Sequence, residues 1–147
     1  AMLGFGLLLW WADRRPKTLK AVSTFSQSDA LKLGLWQALA LIPGTSRSGI
    51  TITGALLAGY NRYEAARLSM LMSIPVILAA TALASLDLIA EDARAQLRDA
   101  ALAAAFAAFS AFIALGLMMR LLRSISFTPY VIYRVVFGAG LILWASL

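Results

Sequence analysis

The 147-residue chain contains no cysteine and no histidine, and acidic side chains are scarce, with 7 Asp and Glu against 13 Lys and Arg. Without cysteine there is no disulfide framework and no thiolate chemistry. Without histidine the commonest general base and metal ligand is missing, so any histidine that catalysis needs must come from outside these residues. Charge of either sign is thin, at 14% of residues against 61% hydrophobic, and the mean hydropathy is +0.81. Those values exclude an ordinary soluble domain and describe an all-α integral membrane chain. The net charge of +6 does not predict a nucleic-acid partner, because Lys and Arg sit at the ends of apolar segments and form no basic stripe with interleaved aromatics.

Residues 1–11 are an apolar run too short to span a bilayer and have no basic region before them, so they read as the end of a truncated helix. With the non-methionine start, this predicts a fragment of a longer protein. Asp13, Arg14, Arg15, Pro16, Lys17 and Lys20 form a basic, aqueous connector. Ser26 and Asp29 have the spacing of a capping box and open a helix that Pro43 stops. A second short helix begins at about Arg47 and ends at Gly59. Asn61 and Glu64 cap a span over 62–88 that Pro75 should kink. A mixed connector follows with Asp87, Glu91, Asp92, Arg94, Arg98 and Asp99, then a span over 100–122 closed by Arg120 and Arg123. In that span Ala103, Ala107 and Ala111 predict close helix packing. Thr128 and Pro129 open the last span, 129–147, where Arg134 reads as an interfacial anchor, with a lipid phosphate contact as the alternative.

Charge placement decides the path of residues 29–59. If this segment turns back, Arg14, Arg15, Lys17, Lys20, Lys32, Arg62, Arg67, Arg120, Arg123 and Arg134 all fall on one side, and only Arg94 and Arg98 on the other. If it crosses, the basic groups divide almost evenly. The positive-inside rule favours a re-entrant helix-loop-helix hairpin entering from the cytoplasm. Broken backbone at membrane depth must line a cavity, which makes the hairpin tip, Pro43 to Ser48, the candidate site.

The tip concentrates chemistry. Ser46, Arg47 and Ser48 place two hydroxyls and a guanidinium beside the unpaired N–H groups of a helix start, where the dipole favours an anion. A P-loop does not fit, because Ile50 stands where the phosphate-binding lysine belongs and no strand precedes it. A nucleophile elbow fails for want of its second glycine and a histidine. The structural alternative is that Gly, Ser and Thr permit tight packing while Arg47 snorkels to water. Against it stands the cost of a charge at bilayer depth, about 2.5–3.5 kcal/mol on insertion scales, which favours a partner for Arg47.

Pro43-Gly44-Thr45-Ser46-Arg47-Ser48-Gly49-Ile50-Thr51 resembles the P-G-x-S-R-S-x-x-T signature of the bacterial undecaprenyl-diphosphate phosphatases, the bacitracin-resistance family. Gln37 to Leu41, Asn61-Arg62-Tyr63 and Ile125 to Arg134 extend the similarity over nearly the whole chain, matching the family's C-terminal half. The resemblance implies one half of an inverted-repeat fold in the bacterial plasma membrane. It implies hydrolysis of undecaprenyl diphosphate to the monophosphate carrier of peptidoglycan synthesis, with bacitracin resistance as a result. It also implies assistance by a divalent cation, Mg or Ca, for which no metal ligand is assigned in this chain. The family's first-half hairpin, with its glutamate-rich motif and histidine, has no counterpart here, so the chain alone is expected to be inactive. The partners implied are a polyprenyl diphosphate, the missing N-terminal half, the bilayer and, as a further candidate, a second copy.

On this reading Arg47, Ser46 and Ser48 are the catalytic candidates, with Arg47 clamping the diphosphate as the phosphorus–oxygen bond breaks. Gly44, Thr45, Gly49 and Thr51 contribute phosphate contacts, and Gln37 lines the cavity. The attacking group stays open between a serine and an activated water, and Glu64 reads as a cap. The rival function is half of a transporter or flippase, since broken helices under inverted repeats also hold anions.

Overall fold

The computed structural model describes residues 1–15, 20–90, 94–122 and 124–145 and, within these, the side chains outside 85–98. Pro16, Lys17, Glu91, Asp92 and Arg123, and the side chains of Asp87, Arg94 and Arg98, therefore lie outside the described residues. The order is α1 (Met2–Arg14), α2 (Gln27–Ala38), α3 (Arg47–Leu57), α4 (Arg62–Ala90), α5 (Arg94–Leu121) and α6 (Thr128–Ala145), with short 3-10 turns at Val22–Thr24 and Leu39–Leu41. Among the described residues there is no strand, only a single bridge between Lys20 and Tyr60.

The first helix runs three residues beyond the expected end at Trp11. Ala12 and Asp13 turn inward, and the Asp13 carboxylate accepts from Arg62 Nε at 2.6 Å, from Arg62 Nη2 at 3.0 Å and from the Phe127 N–H at 3.3 Å. Arg14 and Arg15 close the helix by stacking on Trp10 and Trp11. One carboxylate thus ties together the end of α1, the start of α4 and the start of α6.

The arms α2 and α3 form a helical hairpin. Ser26 and Asp29 make the expected capping box, with Asp29 N–H on Ser26 Oγ at 3.1 Å and Ser26 N–H on the Asp29 carboxylate at 3.4 Å. At 12 and 11 residues the arms are about 18 and about 17 Å long. Neither reaches across the ~30 Å of a hydrocarbon core. Trp36 packs against α3 at Gly54, where a Cβ would sit 2.5 Å from the indole. The mouth is closed by the Tyr60 hydroxyl on Asp29 at 2.9 Å, by Lys20 N–H on the Gly59 carbonyl at 3.1 Å, and by Lys20 Nζ 3.4 Å from Asp29. Gly59 ends the second arm at φ +97°, the left-handed position that favours glycine.

Three helical stretches, 62–84, 99–121 and 128–145, are long and apolar enough to cross a membrane. Asn61 caps α4 through Glu64 N–H at 2.9 Å, and the helix continues on both sides of Pro75. The core gathers around α3, whose residues 49–56 are all buried against α1, α2 and α4. The expected packing of Ala103, Ala107 and Ala111 is not seen: these residues are exposed, and among the described residues α5 reaches the core through Met118, Met119 and the adjoining Leu122.

Candidate active site at the hairpin tip

Between the arms the chain turns through Ile42 to Ser46. Thr45 N–H closes a turn on the Ile42 carbonyl at 3.2 Å, and Gly44 takes φ +84°. Ser46 follows at φ +67°, a left-handed value that costs a non-glycine residue about 1–3 kcal/mol and persists only where surrounding contacts enforce it. As N-cap of α3, Ser46 accepts the Gly49 N–H on its hydroxyl at 3.3 Å and the Ile50 N–H on its carbonyl at 3.0 Å. Among the described residues, the N–H groups of Arg47 and Ser48 have no such partner, and they are the open donors of the helix start.

Hydroxyls cluster on one side of this turn. Ser46 Oγ is 3.5 Å from Ser48 Oγ and 3.3 Å from the Tyr130 hydroxyl of α6. Thr51 is buried instead, its hydroxyl 2.6 Å from Ser69 Oγ and within bonding distance of the Arg47 and Ser48 carbonyls. Thr45 is also buried, and its hydroxyl lacks a hydrogen-bond partner. Thr51 therefore locks α3 to α4 in this structure, while Ser46 and Ser48 stay half-buried and reachable.

Arg47 leaves α3 on another side. Its Nη1 donates to the Ser69 carbonyl at 3.1 Å, and the guanidinium lines a cavity of about 370 Å³ between α2 and α4. Gln37 lines the same cavity, with its Oε1 buried and unpartnered, so the structure brings these two predicted residues together. Ser48 and Gly49 line a separate cavity of about 360 Å³ with Tyr130. The tip thus sits between two cavities, with Ser48 towards one and Arg47 towards the other.

The residue that organises the loop is Arg134. Expected as an interfacial anchor, it is only 4% exposed. Its Nη2 donates to the Gly44 carbonyl at 3.0 Å and the Thr45 carbonyl at 3.1 Å, and Nη1 lies 3.4 Å from the Tyr130 hydroxyl. This burial has a plain physical cause. Arg134 stands six residues into α6, about 9 Å from its start, which is inside rather than at the rim. Gly6 of α1 opposite it leaves room for the side chain, and a Cβ on Gly49 would come within 3.3 Å of Arg134 Nη1. That depth was the signal available in the sequence.

The acids that the structure describes near the bundle are engaged elsewhere: Asp13 with Arg62, Asp29 with Tyr60 and Lys20, and Glu64 with Arg67 at 3.8 Å. Burial alone would raise the pKa of Asp29, but the bonds from Tyr60 and Ser26 and the nearby Lys20 outweigh it and hold the carboxyl below its ordinary value. Burial and that same carboxylate push the Tyr60 phenol up to about 12. The tip itself carries two guanidiniums and no carboxylate among the residues touching it, an arrangement for an anion.

Comparison with known proteins bears on which anion. The family model described as bacitracin resistance protein BacA matches residues 1–140. The chain belongs to the BacA family. Similar curated relatives carry the name undecaprenyl-diphosphatase: one from Ruegeria pomeroyi is 63% identical over 142 residues, covering 96% of this chain and 53% of the relative. Another from Dinoroseobacter shibae is 57% identical over 144 residues, covering 98% and 54%, and one from Hahella chejuensis is 48% identical over 142 residues, covering 97% and 53%. The chain spans about half the length of the curated relatives it matches. Within this BacA-family chain, no group of three or more His, Cys, Asp or Glu among the described residues could hold a metal ion. The tip's donors are hydroxyls, amides and guanidiniums, a poor match to the carboxylate-rich oxygen sets that Mg and Ca prefer. The divalent cation implied by resemblance therefore does not fit the residues at this tip.

Proposed function

We propose that the whole protein hydrolyses undecaprenyl diphosphate to undecaprenyl phosphate and inorganic phosphate, recycling the carrier for peptidoglycan synthesis and giving bacitracin resistance. The observation that carries this reading is the acid-free tip at the start of α3, with open N–H groups on Arg47 and Ser48, two hydroxyls and a guanidinium around one short loop. The names of the relatives point to the same substrate. On this reading the hairpin re-enters the bacterial plasma membrane from the cytoplasmic face. The chain then forms one half of an inverted repeat, and residues beyond it complete the site. Pairing with a second copy belongs to the same proposal.

Phosphoryl transfer passes through a loose transition state, so the protein contributes mainly positioning and charge stabilisation. The α3 amides, Ser46 and Ser48 hold terminal phosphate oxygens. Arg47 turns part of its five-donor fork from the Ser69 carbonyl towards the diphosphate as charge develops. The oxygen of a water, or of a serine whose phosphate a water later releases, bonds to the terminal phosphorus while the bond from that phosphorus to the bridging oxygen breaks, and the bridging oxygen departs with the lipid phosphate. Gly44, Thr45 and Gly49 shape the cradle, with Arg134 holding the first two from behind. No step assigned to these residues runs through a cation, and the proton acceptor is assigned to the rest of the protein.

Phosphate release from undecaprenyl diphosphate by the purified whole-length protein tests the reading. Release that falls at least 100-fold in Arg47→Ala, about the scale of one lost oxyanion donor, supports it. A protein that moves the lipid diphosphate across a vesicle and liberates no phosphate is a transporter, and the proposal fails.

A further inference from the structure

The cavity behind Ser48 is largely apolar. It is closed by α1, α3, α4, the end of α5 and the start of α6, with Ile52, Met70, Met118, Leu121 and Phe127 among its walls. Apart from Ser126, the polar groups among its described lining residues stand beside the tip: Ser48, the Gly49 backbone and Tyr130. Those groups also belong to the candidate phosphate site: the Ser48 and Tyr130 hydroxyls lie 3.5 and 3.3 Å from Ser46 Oγ. At about 360 Å³ it lies within the ~300–1,000 Å³ range of ligand pockets. An apolar chamber that opens onto an anion cradle fits an amphiphile whose charged head joins directly to a hydrocarbon chain.

We propose that this cavity receives the first prenyl units of the substrate, the segment next to the diphosphate, and so fixes which phosphorus faces the tip. The proposal rests on the phosphatase reading above. Burial does not drive this binding, since a chain arriving from lipid gains little by exchanging one hydrocarbon surface for another. What the cavity supplies is alignment: an anchored first segment leaves the diphosphate few orientations, which is how remote contacts raise the rate at the reacting bond. Met70 and Met118 suit a branched, unsaturated chain because their flexible thioethers adapt to irregular surfaces. A phospholipid acyl chain has a similar tail chemistry, but its head is a phosphodiester with no terminal diphosphate to seat at Ser46 and Ser48.

The test uses the whole-length protein in phosphatidylglycerol nanodiscs and a prenyl diphosphate carrying a diazirine on its first units. Labelling is expected in residues 118–130 and to be displaced by polyprenyl diphosphate, not by added phosphatidylglycerol. Met118→Trp, which fills the chamber, should cut labelling at least tenfold, and Met118→Leu should restore it to within twofold. If Met118→Trp fails to fold, Leu121→Trp replaces it, because that position is exposed enough to accept an indole. Labelling mapped elsewhere, displaced equally by phospholipid, or indifferent to tryptophan overturns the proposal. Phosphate release measured alongside separates the two readings. Labelling without release sinks the phosphatase and keeps the chamber, whereas release without labelling sinks the chamber alone.

Discussion

Replacing Arg134 with leucine should loosen the tip without unfolding the bundle. Arg134 donates to the Gly44 and Thr45 carbonyls at 3.0 and 3.1 Å, and among the described residues the turn they occupy is otherwise held by one backbone bond, from the Thr45 N–H to the Ile42 carbonyl. Hydrogen bonds from a charged donor contribute about 1.5–3 kcal/mol each, so the loop loses roughly 3–6 kcal/mol of local tether. The global balance is different, because leucine also removes a buried charge whose placement in a membrane helix costs about 2.5–3.5 kcal/mol. The two terms nearly offset in overall stability but not in the loop. At about 1.4 kcal/mol per factor of ten, loop opening should rise by at least about 100-fold. Hydrogen exchange at the Thr45, Gly49 and Ile50 amides, whose N–H groups are bonded within the turn and its cap, measured in detergent with the melting temperature, reads both quantities. Fast exchange with a melting point shifted by only a few degrees is expected. Arg134→Lys, which keeps charge but loses the fork, should give an intermediate rate. Unchanged exchange in the leucine variant would refute the role assigned to Arg134.

Arg47→Lys should recover only part of the phosphate release lost in Arg47→Ala, and equal activity in the two variants would show that the fork geometry does not matter. Gly54→Ala places a methyl group 2.5 Å from Trp36 and should cost about 1–3 kcal/mol through overpacking, read as a lower melting temperature that Trp36→Ala relieves. The hairpin mouth should weaken at both pH extremes. Asp29 is held below its ordinary 3.8, so its contribution is present above that value and is lost as pH falls through the lower folded pKa. Tyr60 is raised from 10.0 to about 12, so its contribution is complete below pH 10 and is lost as pH rises towards 12. Thermal melts across pH should show both limits in the parent, and Tyr60→Phe should remove the alkaline one. Single cysteines at Ser28 and Ala58 should both label from the cytoplasm, and labelling from opposite faces would end the re-entrant reading.

Local signals in the sequence carried most of the fold. The Ser26–Asp29 capping box, the Asn61 cap, the Gly59 stop and the three apolar stretches each act within a few residues, and each appears where its spacing predicts. What stayed hidden depends on partners distant in sequence. Asp13 extends α1 because Arg62 and the Phe127 amide meet it, 49 and 114 residues away. Arg134 reaches a loop about 90 residues earlier, and no periodicity within α6 reports that contact. The motif identified the tip but not its internal division. Residues 46, 47 and 48 form one cluster in the sequence, whereas the start of α3 sends Ser48 and Arg47 towards different cavities. The strain at Ser46 was equally invisible, because its left-handed backbone follows from contacts on every side of the loop.

The closed mouth of the hairpin has a consequence for life in membranes of unequal thickness. On the re-entrant reading, α4 and α6 must tilt or stretch the surrounding lipid when the hydrocarbon layer changes, as any mismatched span does. Neither α2 nor α3 is long enough to sense the far leaflet. Their depth is set from the near side, by Asp29 on Tyr60 and by Asp13 on Arg62, and their tip is held by Arg134. On the proposed activity and topology, a bacterium that remodels its lipids with temperature would then change the inclination of the spans while the reacting bond stays at a constant distance from the cytoplasmic water.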